Sequence, residues 1–150
     1  MEQRLNIHEK GQNAMKTIFN IGGYLRKSPV EKSLMELICF RVSQMNNCAF
    51  CLDMHSKDLR AAGETEQRLY GLSAWRETPY FTDRERAALA WAEAVTLCHV
   101  PDEVYNQAKA QFSDEELIDL TLNVTTINTW NRLNIAFPVP VGTYQPGQFN

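Results

Sequence analysis

Cys48-Ala49-Phe50-Cys51-Leu52-Asp53-Met54-His55 sets two thiols three residues apart and an imidazole four residues beyond the second. Those intervals share one face of a helix. The predicted helix runs from Cys48 to about residue 62, with Asn47 as its cap and Gly63 closing it. On it, His55 lies one turn from the Cys51 thiol, within reach for proton transfer directly or through a water. The partial positive charge at a helix N-terminus favours a thiolate in the first turn. Two common uses of such a pair do not fit. Attachment of c-type haem needs His directly after the second Cys, where Leu52 stands, and a thioredoxin-like motif needs a βαβ setting, whereas these flanks are helical. Zinc would need a fourth ligand, and His8 and His99 are distant single candidates where structural sites usually present a second ligand pair. No metal and no cofactor is called for.

The helix upstream is predicted over about 29–45, opened by a capping box at Ser28-Pro29-Val30-Glu31 with Pro at its first position. Its apolar positions Val30, Leu34, Leu37, Ile38, Val42 and Met45 keep helical spacing. Glu36 interrupts that run. If the two helices form a hairpin turning at Asn46-Asn47, Glu36 and His55 come within roughly 3 Å of the same level along it. A buried carboxylate there would hold the imidazole's tautomer and raise its basicity. Read alone, Glu36 is equally a solvated helix residue.

Helix signals dominate the remaining sequence. A first helix is predicted over about 3–20, ending near Gly22-Gly23, and a short one over about 66–73. Capping boxes at Thr82-Asp83-Arg84-Glu85 and Ser113-Asp114-Glu115-Glu116 open two more, over about 83–98 and 114–136, and Pro101-Asp102-Glu103 starts another reaching about 111. The last helix is apolar on much of its circumference, which suits a central position or a subunit contact. The tail, Phe137-Pro138-Val139-Pro140, cannot continue a helix. Cys39 and Cys98 stand in apolar surroundings and read as small buried hydrophobes. Glu93 needs a partner if buried, and Arg132 is one possibility. Asn128, Asn131 and Asn134 line either the site or an interface.

The 150 residues suit one domain spanning 1–150, with no linker or repeat. A formal net charge of −3 and the lack of a basic cluster argue against a nucleic-acid partner. Met1-Glu2-Gln3-Arg4 opens a polar segment with no apolar signal-peptide core. No run approaches the ~18 apolar residues of a membrane span. A cytoplasmic protein is expected, and in that compartment a close Cys pair reads as catalytic or metal-binding.

The spacing Glu36, eleven residues, Cys48-x-x-Cys51-x-x-x-His55 resembles the signature of the AhpD-like (alkylhydroperoxidase) branch of the carboxymuconolactone decarboxylase superfamily. The likeness extends through Gly63, the helix Arg86 to Glu93 and Trp130-Asn131-Arg132-Leu133-Asn134, covering roughly residues 15 to 143. It implies an all-α fold of about six helices and a homo-oligomer, often a trimer or hexamer. It implies a thiol-dependent peroxidase in which Cys51 attacks peroxide, Cys48 resolves, and His55 with Glu36 relays protons, with a thiol or dithiol protein as reductant. Phe50 departs from the best-studied branch, which has His at that position, and so puts the rate of turnover and the electron donor in doubt. The decarboxylases of the superfamily do not depend on this Cys pair. A non-catalytic redox sensor of the same fold is the alternative.

Overall fold

The computed structural model describes residues 4–149, and the reading of Met1 to Gln3 lies outside them. The described chain is all-α: α1 (Ile7–Lys10), α2 (Gln12–Leu25), α3 (Lys32–Met45), α4 (Ala49–Ala61), α5 (Glu66–Gly71), a 3-10 segment (Leu72–Glu77), α6 (Asp83–Thr96), α7 (Asp102–Gln111) and α8 (Asp114–Ala136). Six of these helices are long and two, α1 and α5, are short.

α3 is the axis of the fold. It packs against α4, α6 and α8, and eight of its residues are buried. Ile38 and Val42 meet Ala88, Leu120 and Val124 in one apolar cluster. Leu37 joins Leu59, Leu72, Trp75 and Leu89 in a second on the other side. The buried alanines of α6, Ala87, Ala88, Ala90, Ala92 and Ala94, let neighbouring helices approach closely, because interaxial distance follows side-chain size at the contact.

Both capping boxes at Thr82 and Ser113 form with reciprocal bonds. The one expected at Ser28 does not. Arg84 takes the Glu31 carboxylate at 2.9 Å, so Glu31 stays extended and α3 starts at Lys32. The predicted first helix is two helices. The Asn6 side chain accepts from the backbone N–H groups of His8 and Glu9, and α1 ends at Gly11. A Cβ at Gly11 would lie 2.8 Å from the Ile7 carbonyl oxygen. Gly22 and Gly23, expected as a stop, lie inside α2.

Three helices end in one motif. At the end of α3, Asn47 adopts φ 56°, its N–H bonds Gln44 O at 3.3 Å, and the Cys48 N–H bonds Ser43 O at 3.1 Å. This is the Schellman pattern with Asn in the left-handed position. Asn47 therefore terminates α3 rather than capping α4, and Cys48 takes the cap position itself. Gly63, at φ 95°, closes α4 in the same way, with Glu64 N–H on Leu59 O. Cys98 does so for α6, with φ 56° and His99 N–H on Ala94 O. That corrects the reading of Cys98 as a buried hydrophobe: it is exposed because it is the turn beyond a helix.

Glu93 is buried on α6 but does not meet Arg132, whose guanidinium bonds the Asn128 carbonyl and side chain. It accepts from Arg41 of α3 at 2.7 Å, Trp75 Nε1 at 2.8 Å and Arg76 at 2.6 Å. Burial pushes its carboxyl up, but those three donors and the Arg41 charge outweigh it, leaving it below the usual carboxylate range. Stability from this group is therefore present above the unfolded carboxylate pKa, about 4.3, and is lost as pH falls through the lower folded value. Glu93→Ala should cost about 3 kcal/mol or more by stranding the largely buried Arg41, a fall of roughly 6–12 °C in Tm. Calorimetry checks this, and a loss below about 1 kcal/mol would be the size of a surface pair and reject the brace.

Candidate functional site

The Asn47 turn sets the geometry of the site. It reverses the chain so that α3 and α4 pack side by side and leaves Cys48 at the N-cap of α4, with Cys51 in its first turn. The two sulfurs are joined in a disulfide, with Cα atoms 5.3 Å apart. That separation lies within the usual disulfide range. Both cysteines are buried, and so is His55 one turn on.

Glu36, on α3, meets His55 across the hairpin, with Nδ1 to Oε2 at 2.9 Å. The level match computed from sequence is thus realised as a contact. Burial pushes the Glu36 carboxyl up, but the hydrogen bond and charge of His55, helped by Lys32, outweigh it and hold the group below its usual range. Glu36 is consequently ionised at neutral pH and can only accept. The proton of a neutral His55 must then sit on Nδ1, which leaves Nε2 with a free lone pair. Nε2 is buried and has no hydrogen-bond partner. All four residues singled out in the sequence, Glu36, Cys48, Cys51 and His55, are together.

Glu36, Cys51 and His55 open on a cavity of about 360 Å3. Its lining includes Phe50, Trp130 and Phe149. His8 of α1 stacks on Phe149 and Trp130 at 6.2 and 6.5 Å between ring centres. The C-terminal tail that brings Phe149 there is fastened to α4. Gly142 N–H donates to Asp53 at 3.1 Å, and Lys57 Nζ donates to the Tyr144 carbonyl, also at 3.1 Å. The Tyr144 hydroxyl donates to Asp58, and burial with that carboxylate pushes its phenol up to about 12.

Sequence reasoning left two further features unresolved. Cys39 lines the same cavity as a free thiol, and three asparagines of α8 are buried: Asn123, Asn131 and Asn134. Asn46, in the hairpin turn, donates to Asn128 and Asn131 at 2.9 Å each, and Asn131 donates to Ser43 at 3.0 Å. Asn134 donates to Cys51 Sγ at 3.5 Å. The signal in the sequence was polar residues on a helix apolar nearly all round, each then requiring a buried partner. Among the described residues, no group of three or more His, Cys, Asp or Glu is placed to hold a metal ion, and no helix is long and apolar enough to cross a membrane.

Comparison with known proteins agrees with this architecture. The profile of the carboxymuconolactone decarboxylase family matches residues 12–94. The chain is 43% identical over 139 residues to the uncharacterized protein YdfG of Bacillus subtilis, spanning 91% of this chain and 95% of that one. It superposes with a TM-score of 0.90 on a protein of unknown function from Agrobacterium tumefaciens, provisionally assigned as the antioxidant defence protein AhpD. The two are 37% identical over 95% of this chain and 100% of that one. An uncharacterized peroxidase-related protein from Ralstonia eutropha, described as an alkylhydroperoxidase AhpD core, shares the fold at a TM-score of 0.80 and 18% identity, over 91% of this chain and 74% of that one. A helical hairpin with a CxxC pair at the start of its second helix is the AhpD-like arrangement. The chain belongs to the carboxymuconolactone decarboxylase family, in that AhpD-like branch.

Reduced protein treated with one equivalent of hydrogen peroxide should show Cys48 and Cys51 joined by an intramolecular disulfide. Mass spectrometry after alkylation reads this directly, and both thiols found alkylated would reject a redox-active pair.

Proposed function

We propose that the protein is a thiol-dependent peroxidase of the alkylhydroperoxidase type, with Cys51 as nucleophile, Cys48 as resolving thiol and His55–Glu36 as proton relay. One observation carries the reading: the buried, unpartnered Nε2 of His55, a residue one helical turn from Cys51 that lines the same cavity. A free thiol, with a pKa near 8.5, is only a few per cent ionised at neutral pH. The lone pair on Nε2 accepts the Cys51 proton, and the imidazolium, balanced by Glu36, stabilises the thiolate. The family and its peroxidase-related relatives support a peroxidase-like role.

The Cys51 thiolate attacks the distal oxygen of a hydroperoxide, the O–O bond breaks, and the alcohol leaves with the proton held by His55. Cys51 is now a sulfenic acid. The Cys48 sulfur attacks it, forming the disulfide and releasing water. A thiol or dithiol protein then supplies two electrons and two protons to restore the pair. Such donors are kept reduced in the cytosol, where we place the protein. We further propose that it is a homo-oligomer, a trimer or hexamer, because α8 leaves Ile118 and Ile135 exposed on a helix that is otherwise central.

Repeated turnover of peroxide by a catalytic amount of protein, with a dithiol donor present, is the expected result, and Cys51→Ser should abolish it. Oxidation that stops after one equivalent would instead assign a stoichiometric redox switch, a reading favoured by Phe50 standing where the best-studied branch has His. Light scattering on the same preparation should give a mass well above 17.2 kDa, and a monomer mass would reject the oligomer.

A further inference from the structure

Two cysteines line one cavity, the free thiol Cys39 and the disulfide-bonded Cys51, and α8 gives each an asparagine. The two amides face their sulfurs in opposite senses. Asn123 is fixed by its own bond to the backbone, with Nδ2 on the Met35 carbonyl at 3.1 Å. Its Oδ1 therefore faces Cys39 and accepts from that sulfur at 3.6 Å. Cys39 must keep its proton to make this bond. Burial pushes the Cys39 thiol up, and the charge of Glu36 adds to it.

At Cys51 the polarity is reversed. A disulfide sulfur carries no hydrogen, so it can only accept. The amide of Asn134 must present its N–H2 edge, and it does so at 3.5 Å while lining the cavity beside the sulfur. Asn134 is itself buried. When the pair is reduced, the same N–H faces a sulfur that bears charge as a thiolate. A hydrogen bond to the charged form of a group favours that form, and bonds with an ionised partner are roughly twice as strong as neutral ones.

We propose that Asn134 is a catalytic residue, its side-chain amide donating to Cys51 Sγ to stabilise the thiolate. The amide distinguishes Cys51 from Cys39, which burial and the neighbouring Glu36 charge keep protonated. The inference rests on the reading of Cys51 as nucleophile. It adds a donor, independent of the imidazole, on the sulfur of Cys51 rather than of Cys48.

The test is the rate of iodoacetamide modification at Cys51 across pH, resolved by peptide mass spectrometry. It is run on the full chain in a Cys48→Ser background, where the disulfide cannot form. Asn134→Ala should slow modification by about tenfold near neutral pH, the worth of one hydrogen bond to a charged group. The deficit should vanish at about pH 10, where the thiol ionises unaided. Asn134→Asp keeps the shape but sets a carboxylate against the sulfur. It should show a larger deficit at neutral pH with the same recovery, and it decides the case if the alanine variant does not fold. Cys39 should stay equally unreactive in every variant, which reports that the cavity is intact. Superimposable profiles, or a loss equal at every pH, would overturn the proposal. Peroxide turnover is a separate readout: profiles shifted as described in a protein that consumes no peroxide would discard the peroxidase and keep Asn134 as a thiolate donor.

Discussion

Glu36 and His55 sit on different helices and touch through a single hydrogen bond of 2.9 Å. Most of the fold serves that contact. α3 carries Glu36 and is held on three sides, by α4, α6 and α8, which fixes the backbone that presents the half-buried carboxylate to His55. The partner helix is set by one turn. Asn47 in the left-handed region ends α3, and α4 begins after only three intervening residues, fixing both the level of His55 against Glu36 and the position of the cysteines at the helix N-terminus. A longer or looser turn would lose both at once. The ionised carboxylate in turn fixes the imidazole tautomer, and the tautomer leaves Nε2 without a partner. Chain reversal, packing and proton chemistry are thus one linked constraint.

Buried polar groups elsewhere follow a consistent division. Glu93 satisfies its charge with Arg41, Arg76 and the Trp75 indole, tying α3, α6 and the 3-10 segment together on the side away from the cavity. The asparagines of α8 satisfy the turn end of α3 through Asn46 and Ser43 and then reach the two cavity thiols. The C-terminal tail is fastened to α4 by Asp53, Lys57 and Asp58, which places Phe149 over the cavity against His8. The cavity wall is therefore assembled from both ends of the described chain around a core that does not depend on them.

The hairpin and the approach of Glu36 to His55 across it were legible in the sequence because local rules govern them: helical spacing, rise per residue and the turn propensity of Asn46-Asn47. The helices opened by Thr82 and Ser113 were legible for the same reason. Errors arose where a distant residue decided the outcome. The Ser28 box failed because Arg84, on α6, claims Glu31. Arg132 is one possible partner of Glu93 on sequence grounds, yet Arg41 and Arg76 occupy that carboxylate. Cys98 reads as apolar from its neighbours, but a Schellman turn puts it in solvent, and nothing in its composition announces a left-handed cysteine. Asn134 was visible only as a polar residue on an apolar helix. Its partner, 83 residues away, is supplied by tertiary packing. The tail's anchoring on α4 has the same origin.

If the Glu36–His55 contact makes Cys51 reactive at neutral pH, the pH profile of Cys51 alkylation must shift in reduced protein carrying His55→Ala or Glu36→Gln. General-base assistance typically contributes about 10²–10⁴-fold. The account predicts a loss of at least about tenfold near neutral pH for His55→Ala, a smaller loss for Glu36→Gln, and convergence with the unaltered protein above about pH 9 as the thiol ionises unaided. Helix content by circular dichroism should be unchanged in both. Three superimposable profiles would contradict the account and leave the N-terminus of α4 and its neighbouring amide as the only activators of the thiol.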